Sequence, residues 1–133
     1  MADPLLQTFQ LKHLHLKNRI ITTSHEPAYN EGGFPKDRYI AYHLERARGG
    51  IAMTMTAGSA VVSKDSPPSF DNIHAYKDEV VPWIKKLTET IHDQDCKIMI
   101  QLTHLGRRTS WSKGDWLPSL SSGKHREPAH KAF

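Results

Sequence analysis

Along the chain the apolar positions follow two registers, and each predicts a different kind of element. Leu11, Leu14 and Leu16 alternate with Lys and His residues, which suggests a short amphipathic strand or hairpin. Arg19 to Thr23 then reads as a first core strand, with β-branched residues and a polar exit. Ser24 to Pro35 carries two prolines and the Gly32-Gly33 pair and reads as a loop. From Lys36 the period lengthens. Ile40, Leu44 and Ala47 share one helical face, and Gly49-Gly50 supplies the stop that a left-handed C-terminal residue needs. Ile51 to Thr56 is a nearly continuous apolar and Thr run, as a strand buried on both faces requires. Residues 58 to 77, centred on Pro67-Pro68, read as a second loop. Val80, Ile84, Leu87 and Ile91 give the clearest helix, with Asp78 expected to cap it and Pro82 tolerated in its first turn. Lys97 to Leu102 is the third strand.

Strand, helix, strand, helix, strand, with short returns after each helix, predicts a parallel α/β arrangement with right-handed crossovers. The unusual polar residues gather where these strands end: Thr23-Ser24-His25-Glu26, then Thr56-Ala57-Gly58-Ser59, then Gln101 to Arg108. Gln101 stands out, because it interrupts an otherwise apolar strand. Its carbonyl and NH2 both need partners, which a ligand with an adjacent donor and acceptor would satisfy, as would neighbouring backbone. After Thr103 no apolar period remains, and residues 108–133, with Trp111, Trp116 and Pro128, read as a long loop.

Three segments together carry a resemblance. Leu16-Lys17-Asn18-Arg19-Ile20, Arg46-Ala47-Arg48-Gly49-Gly50 and Ile100-Gln101-Leu102-Thr103-His104-Leu105-Gly106-Arg107 occur in this order over residues 16–107. In this the chain resembles the N-terminal part of the Old Yellow Enzyme family of FMN-dependent oxidoreductases. Each piece is weak alone, and the combination is specific. The resemblance implies an α/β fold, the N-terminal portion of a (β/α)8 TIM barrel. A complete barrel needs about 250 residues, so the 133 present would supply strands one to three and two helices, with the rest of the barrel and any C-terminal domains absent.

It also implies roles. Gln101 stands where the family's Gln grips the pyrimidine edge of FMN, and Thr23, Ser24 and His25 where backbone runs along the flavin ring. Ala57 or Gly58 would be the small residue that lets the flavin approach the backbone. The family often has Pro at Ser24 and a small Cys or Thr at Glu26. A Cys at the matching position attaches FMN covalently in trimethylamine dehydrogenase, so Glu26 implies non-covalent FMN. The segment Thr22 to Tyr29 looks most like the branch that oxidatively demethylates N-methylated amino acids, such as N-methylproline or dimethylglycine. There a carboxylate near the substrate would suit a cationic amine, which makes His25 and Glu26 candidate substrate-side residues. The catalytic residues themselves stay unknown, because the family's catalytic His or Asn pair and its phosphate-binding Arg lie further on. Larger members add a 4Fe-4S cluster and FAD or NAD(P)H, with no ligands in this stretch. The alternative within the family is an ene or dienoyl-CoA reductase; the alternative from another class is a non-catalytic structural or interaction fragment.

Composition changes this picture little. With 38% hydrophobic and 24% charged residues the chain is ordinary for a globular domain. A net charge of +4 comes from scattered basic residues interleaved with Asp and Glu, which argues against a nucleic-acid partner. The single cysteine, Cys96, excludes a disulfide framework and reads as a small buried apolar residue. Among the nine histidines, His13 and His15 lie on a strand-like repeat and His125 and His130 sit five apart in a loop, which argues against a metal site. No glycine-rich nucleotide loop is present. Trp111 and Trp116 fit lid packing better than a pocket lining. Neither a signal pattern nor an apolar run of membrane-spanning length occurs, so cytoplasm is the default. Homo-oligomerisation is left open.

Overall fold

The computed structural model describes residues 3–56, 60–66 and 70–106. The alternating leucines form a hairpin, β1 (Phe9–Leu11) and β2 (Leu14–Leu16), whose antiparallel register pairs Phe9 with Leu16 and Leu11 with Leu14. Lys12 makes the turn at φ 53°. Leu16, backed by Leu14, is buried against Ala52 and Met53, so the hairpin lies under the start of the next strand.

Three parallel strand segments form the centre. Strand one is reduced to a bridge between Ile21 and Met53, held by Ala52 N–H to Ile20 O at 2.9 Å and Thr22 N–H to Met53 O at 3.0 Å. Beside it runs β3 (Met53–Met55), which pairs with β6 (Lys97–Met99) in the register Met53 with Lys97 and Met55 with Met99. Strand one is shorter than expected, with Ile21 its one bridged residue.

Helix α1 (Asp37–Arg48) follows the expected span. Its buried face consists of Tyr39, Ile40, His43 and Ala47, with Leu44 packed at its margin, so a Tyr and a His share the stripe with the aliphatic residues. The left-handed residue at its end is Gly50, at φ 91°. Helix α2 (Val81–His92) buries Leu87 and Ile91 and accepts Pro82 in its first turn. Asp78 does not cap it. A 3-10 turn over Asp78–Val80 precedes the helix, closed by Val80 N–H on Lys77 O, so Asp78 lies inside the first turn, where its charge favours the positive helix end without capping it.

The loop expected over 58–77 is a correction of a different kind. Within it lie β4 (Ala60–Val61) and β5 (Ile73–His74), which join β7 (Leu102–Thr103) in a second parallel sheet of order β5-β4-β7. Strand three therefore breaks at Ile100-Gln101 and resumes in another sheet. Two-residue strands have no period of their own and exist only because their partners are in place. Gly33 belongs to the same construction. It sits at φ 86°, its carbonyl accepts from His74 N–H at 2.8 Å, and a Cβ there would collide with the His74 ring.

The core between helices and strands is built from Tyr39, Ile40, Ala47, Ala60, Ile73, Val80, Leu87, Ile91 and Cys96. Cys96 is buried there as expected, and burial pushes its thiol up. The other face of the parallel strands is open: Ile21 and Met99 are each more than two-fifths exposed. Among the described residues no helix is long and apolar enough to cross a membrane.

Candidate functional site

Parallel pairing of strand one, β3 and β6 puts their three C-terminal ends on one edge. The second and third exits are tied together there. Thr56 N–H donates to Met99 O at 2.8 Å, and Thr56 Oγ1 accepts from Gln101 N–H at 3.1 Å. The backbone of Gln101 is thus fixed, while its side chain is exposed and, among the described residues, its amide has no hydrogen-bond partner. The expectation of a Gln inside a buried strand is corrected in that respect. It lies at the break between β6 and β7, on the uncovered face.

At the first exit the peptide N–H groups of Thr23, Ser24 and His25 make no hydrogen bond among the described residues, the last ladder bond being that of Thr22. Thr23 and His25 are exposed and Ser24 is half-buried. Glu26 is half-buried, and its Oε1 accepts from Ala28 N–H at 2.9 Å, which steadies a turn whose Ala28 stands at φ 53°. Ala57 and Gly58 lie outside the described residues, as do Arg107, Trp111, Trp116, His125 and His130.

Beneath the first exit is a polar chain that the hydrophobic pattern did not reveal. Thr22 Oγ1 donates to Thr54 Oγ1 at 3.0 Å, and His43 Nδ1 lies 2.8 Å from the same oxygen. Thr54 is fully buried and His43 is 1% exposed, with its Nε2 unpartnered. Burial, and secondarily the Arg46 guanidinium, push the His43 pKa down to about 4, so the ring is neutral near pH 7. His43, Thr22, Thr23, His25, Tyr42 and Arg46 line an open cavity of about 450 Å³ beside this exit. The only sequence signal for His43 was its position three residues after Ile40, on the helix's inward face.

The loop leaving strand three is clamped to the loop after β4. His104 Nδ1 accepts from Gly106 N–H at 3.0 Å, which leaves the proton on Nε2, 3.4 Å from Asp65 Oδ1. Leu105 N–H donates to Ser66 Oγ at 3.1 Å. Hydrogen bonds from Ser63 and His104 hold the Asp65 carboxyl below its usual range. His104 is thereby a loop-shaping residue. Among the described residues no cluster of His, Cys, Asp and Glu could hold a metal ion.

Among the described residues the rim therefore offers three consecutive uncommitted peptide donors and a side-chain amide that can both donate and accept. This donor set fits the alternating carbonyl and nitrogen edge of a flavin ring.

Residues 4–124 match the NADH:flavin oxidoreductase / NADH oxidase family. The chain is 68% identical over 131 residues to a protein of Rhizobium meliloti named "Probable N-methylproline demethylase", covering 98% of this chain and 19% of that protein. It is 45% identical to the "Multifunctional alkene reductase/demethylase OYE" of Caballeronia cordobensis, covering 99% and 20% respectively. Among solved structures, the Old Yellow Enzyme from Pichia sp. AKU4542 superposes with a TM-score of 0.71 at 24% identity, over 78% of this chain and 27% of that one. The chain spans about a fifth of the length of these two curated relatives.

Proposed function

Because the chain belongs to the NADH:flavin oxidoreductase / NADH oxidase family, we propose that it forms the opening strands and two helices of an FMN-binding TIM barrel whose intact protein oxidatively demethylates an N-methylated amino acid. The fold, an incomplete α/β barrel, is that of Old Yellow Enzyme-type proteins. The observation that carries the cofactor reading is the row of uncommitted donors at Thr23, Ser24 and His25 facing the same edge as the Gln101 amide. Gln101 would grip the pyrimidine edge, and the strand-one exit would run along the ring, with Ala57 or Gly58 keeping the second exit small. Bound FMN supplies a two-electron acceptor for a substrate C–H bond. Glu26 rather than a Cys stands at the first exit, which supports a cofactor held there without a thioether bond.

The amine substrate is supported by the name of the 68%-identical relative and by Glu26 beside His25, whose charge suits a cationic nitrogen. A 4Fe-4S cluster, and FAD or NAD(P)H, would belong to other parts of an intact protein, since a cluster needs several thiolates and this segment has one Cys. A second reading, reduction of an activated alkene, is favoured by the 45%-identical relative, whose name joins both activities.

Purified full-length protein decides between them. Flavin absorbance with formaldehyde released from N-methylproline supports demethylation. Alkene turnover without formaldehyde supports the second reading, and colourless protein that takes up no FMN overturns both.

A further inference from the structure

The strand-one exit is held by very little backbone. Its ladder consists of one bridge, its last bond is Thr22 N–H to Met53 O, and no backbone hydrogen bond ties Thr23, Ser24 or His25 among the described residues. A cofactor that reads this backbone needs it in one place, to a fraction of an ångström. Something other than the ladder has to fix it.

Side chains alternate across a strand, so Met53 and Met55 share one face of β3 and Thr54 takes the face toward α1. The bridge pairs Ile21 with Met53, which sets Thr22 beside Thr54 on that helix-side face and sends Thr23 to the opposite, open face. The Thr22–Thr54–His43 chain is therefore the last tie on strand one before the exit, and it reaches to a helix.

We infer that His43 and Thr54 are positioning residues, which through Thr22 fix the height of the strand-one exit and with it the peptide donors that Thr23, Ser24 and His25 offer the flavin.

The inference rests on the flavin reading above. Its physical ground is that the layer between α1 and the strands is built mainly on apolar contacts, of the Tyr39 ring, Ile40 and Ala47. Val in place of Thr54 and an apolar ring in place of His43 would fill the same space without desolvating a hydroxyl and an imidazole. Among the described residues His43 Nε2 has no partner, and the ring is tied through Nδ1 to Thr54. Apolar contacts allow neighbouring elements to slide, whereas a hydrogen-bonded chain fixes distance and direction together.

The test uses full-length protein loaded with FMN and compares Thr54→Val with Thr54→Ser, and His43→Phe with His43→Asn. Val and Phe remove the polar link; Ser and Asn retain a group able to make it. The readouts are the FMN dissociation constant, the visible flavin spectrum and apo-protein melting. The expected result is a dissociation constant raised roughly 5- to 10-fold and a displaced visible band for Thr54→Val, with Thr54→Ser within about twofold of wild type. Should Thr54→Val fail to fold, the His43 pair decides in the same way. Equal affinities and superimposable spectra within each pair overturn the inference, as does a melting change with flavin affinity untouched, which is what a packing role alone produces. Wild-type protein that takes up no FMN overturns the flavin reading itself and this role with it.

Discussion

The two ends of the parallel strands are built on opposite plans. At the N-terminal end every conspicuous motif residue is committed. Asn18 donates through Nδ2 to Gly50 O at 2.7 Å and accepts from Ile20 N–H at 3.0 Å, while Lys17 Nζ donates to Gln94 O at 2.8 Å. The Lys17-Asn18 pair thus pins the returns from both helices, with the hairpin's Leu16 packed against Ala52 and Met53 beside it. At the C-terminal end the recognition groups are left open: the Gln101 side chain is exposed although its backbone is tied to Thr56, and the strand-one exit is barely tied at all. Two motifs that carry the family resemblance, around Asn18 and Gly50, touch each other and are architectural. The motif around Gln101 lies at the edge that carries the candidate site. Recurrence of a motif and nearness to chemistry are different properties, and only the geometry separates them.

The largest effect concerns the upper, open region as a whole. Produced alone, the 133 residues should bind no FMN measurably and should self-associate, because exposed Ile21, Met99, Ile100 and Leu102 lie on or next to unpaired strand edges. A monomeric, yellow product in analytical ultracentrifugation would show that the remaining strands are dispensable.

Acid should attack the layer between the two ends. His43 has a folded pKa near 4 against 6.5 in the unfolded chain. Below pH 6.5 the unfolded chain binds a proton that the folded one refuses. Stability is therefore complete above that pH and falls as pH drops toward 4, by at most about 3 kcal/mol. Urea midpoints of the full-length protein between pH 7 and pH 4.5 measure it, and His43→Asn should flatten this part of the profile.

Asn18→Ala should cost about 2 kcal/mol, since two half-buried hydrogen bonds are lost and Gly50 O and Ile20 N–H keep only what water supplies. Flavin affinity of the folded fraction should not change. A shifted affinity with unchanged melting would reverse the division between the ends.

Gln101→Ala should do the converse. Its amide has no partner among the described residues, so apo melting should hold, while the FMN dissociation constant rises roughly 5- to 30-fold from one unsatisfied flavin edge. Fluorescence titration reads it directly, and an unchanged constant would remove Gln101 from the site.

The smallest expected effect is at Glu26. Glu26→Gln keeps the size and can still accept from Ala28 N–H, so flavin content should stay the same. Turnover of N-methylated amino acids should fall, by less than about tenfold for a partly solvated charge pair. Unaltered kcat/KM would confine Glu26 to holding its turn.

Much of this architecture was legible before any coordinates. The hairpin, both helices and the parallel order follow from periods of 2 and 3.6, because burial on one face repeats at the geometric period of the element that creates it. Gln101 was legible too, as a polar interruption of an apolar run. The β4, β5 and β7 strands were not, and neither was the broken course of strand three. Each has only two residues, and their pairing depends on partners up to about forty positions away.

The sequence by itself determined the hairpin, both helices and the parallel order, since local period and residue type are properties of short stretches. Only the tertiary structure decided what the polar residues are tied to: Asn18 to Gly50, Thr56 to Gln101, and Thr22 through Thr54 to His43. The last chain joins residues 32 and 11 positions apart. Within the single strand or helix that carries each of them, a buried Thr or His looks like any other polar residue. Whether it meets a partner is settled by how strands and helix pack, because a hydrogen bond requires an approach to about 3 Å that no local pattern encodes.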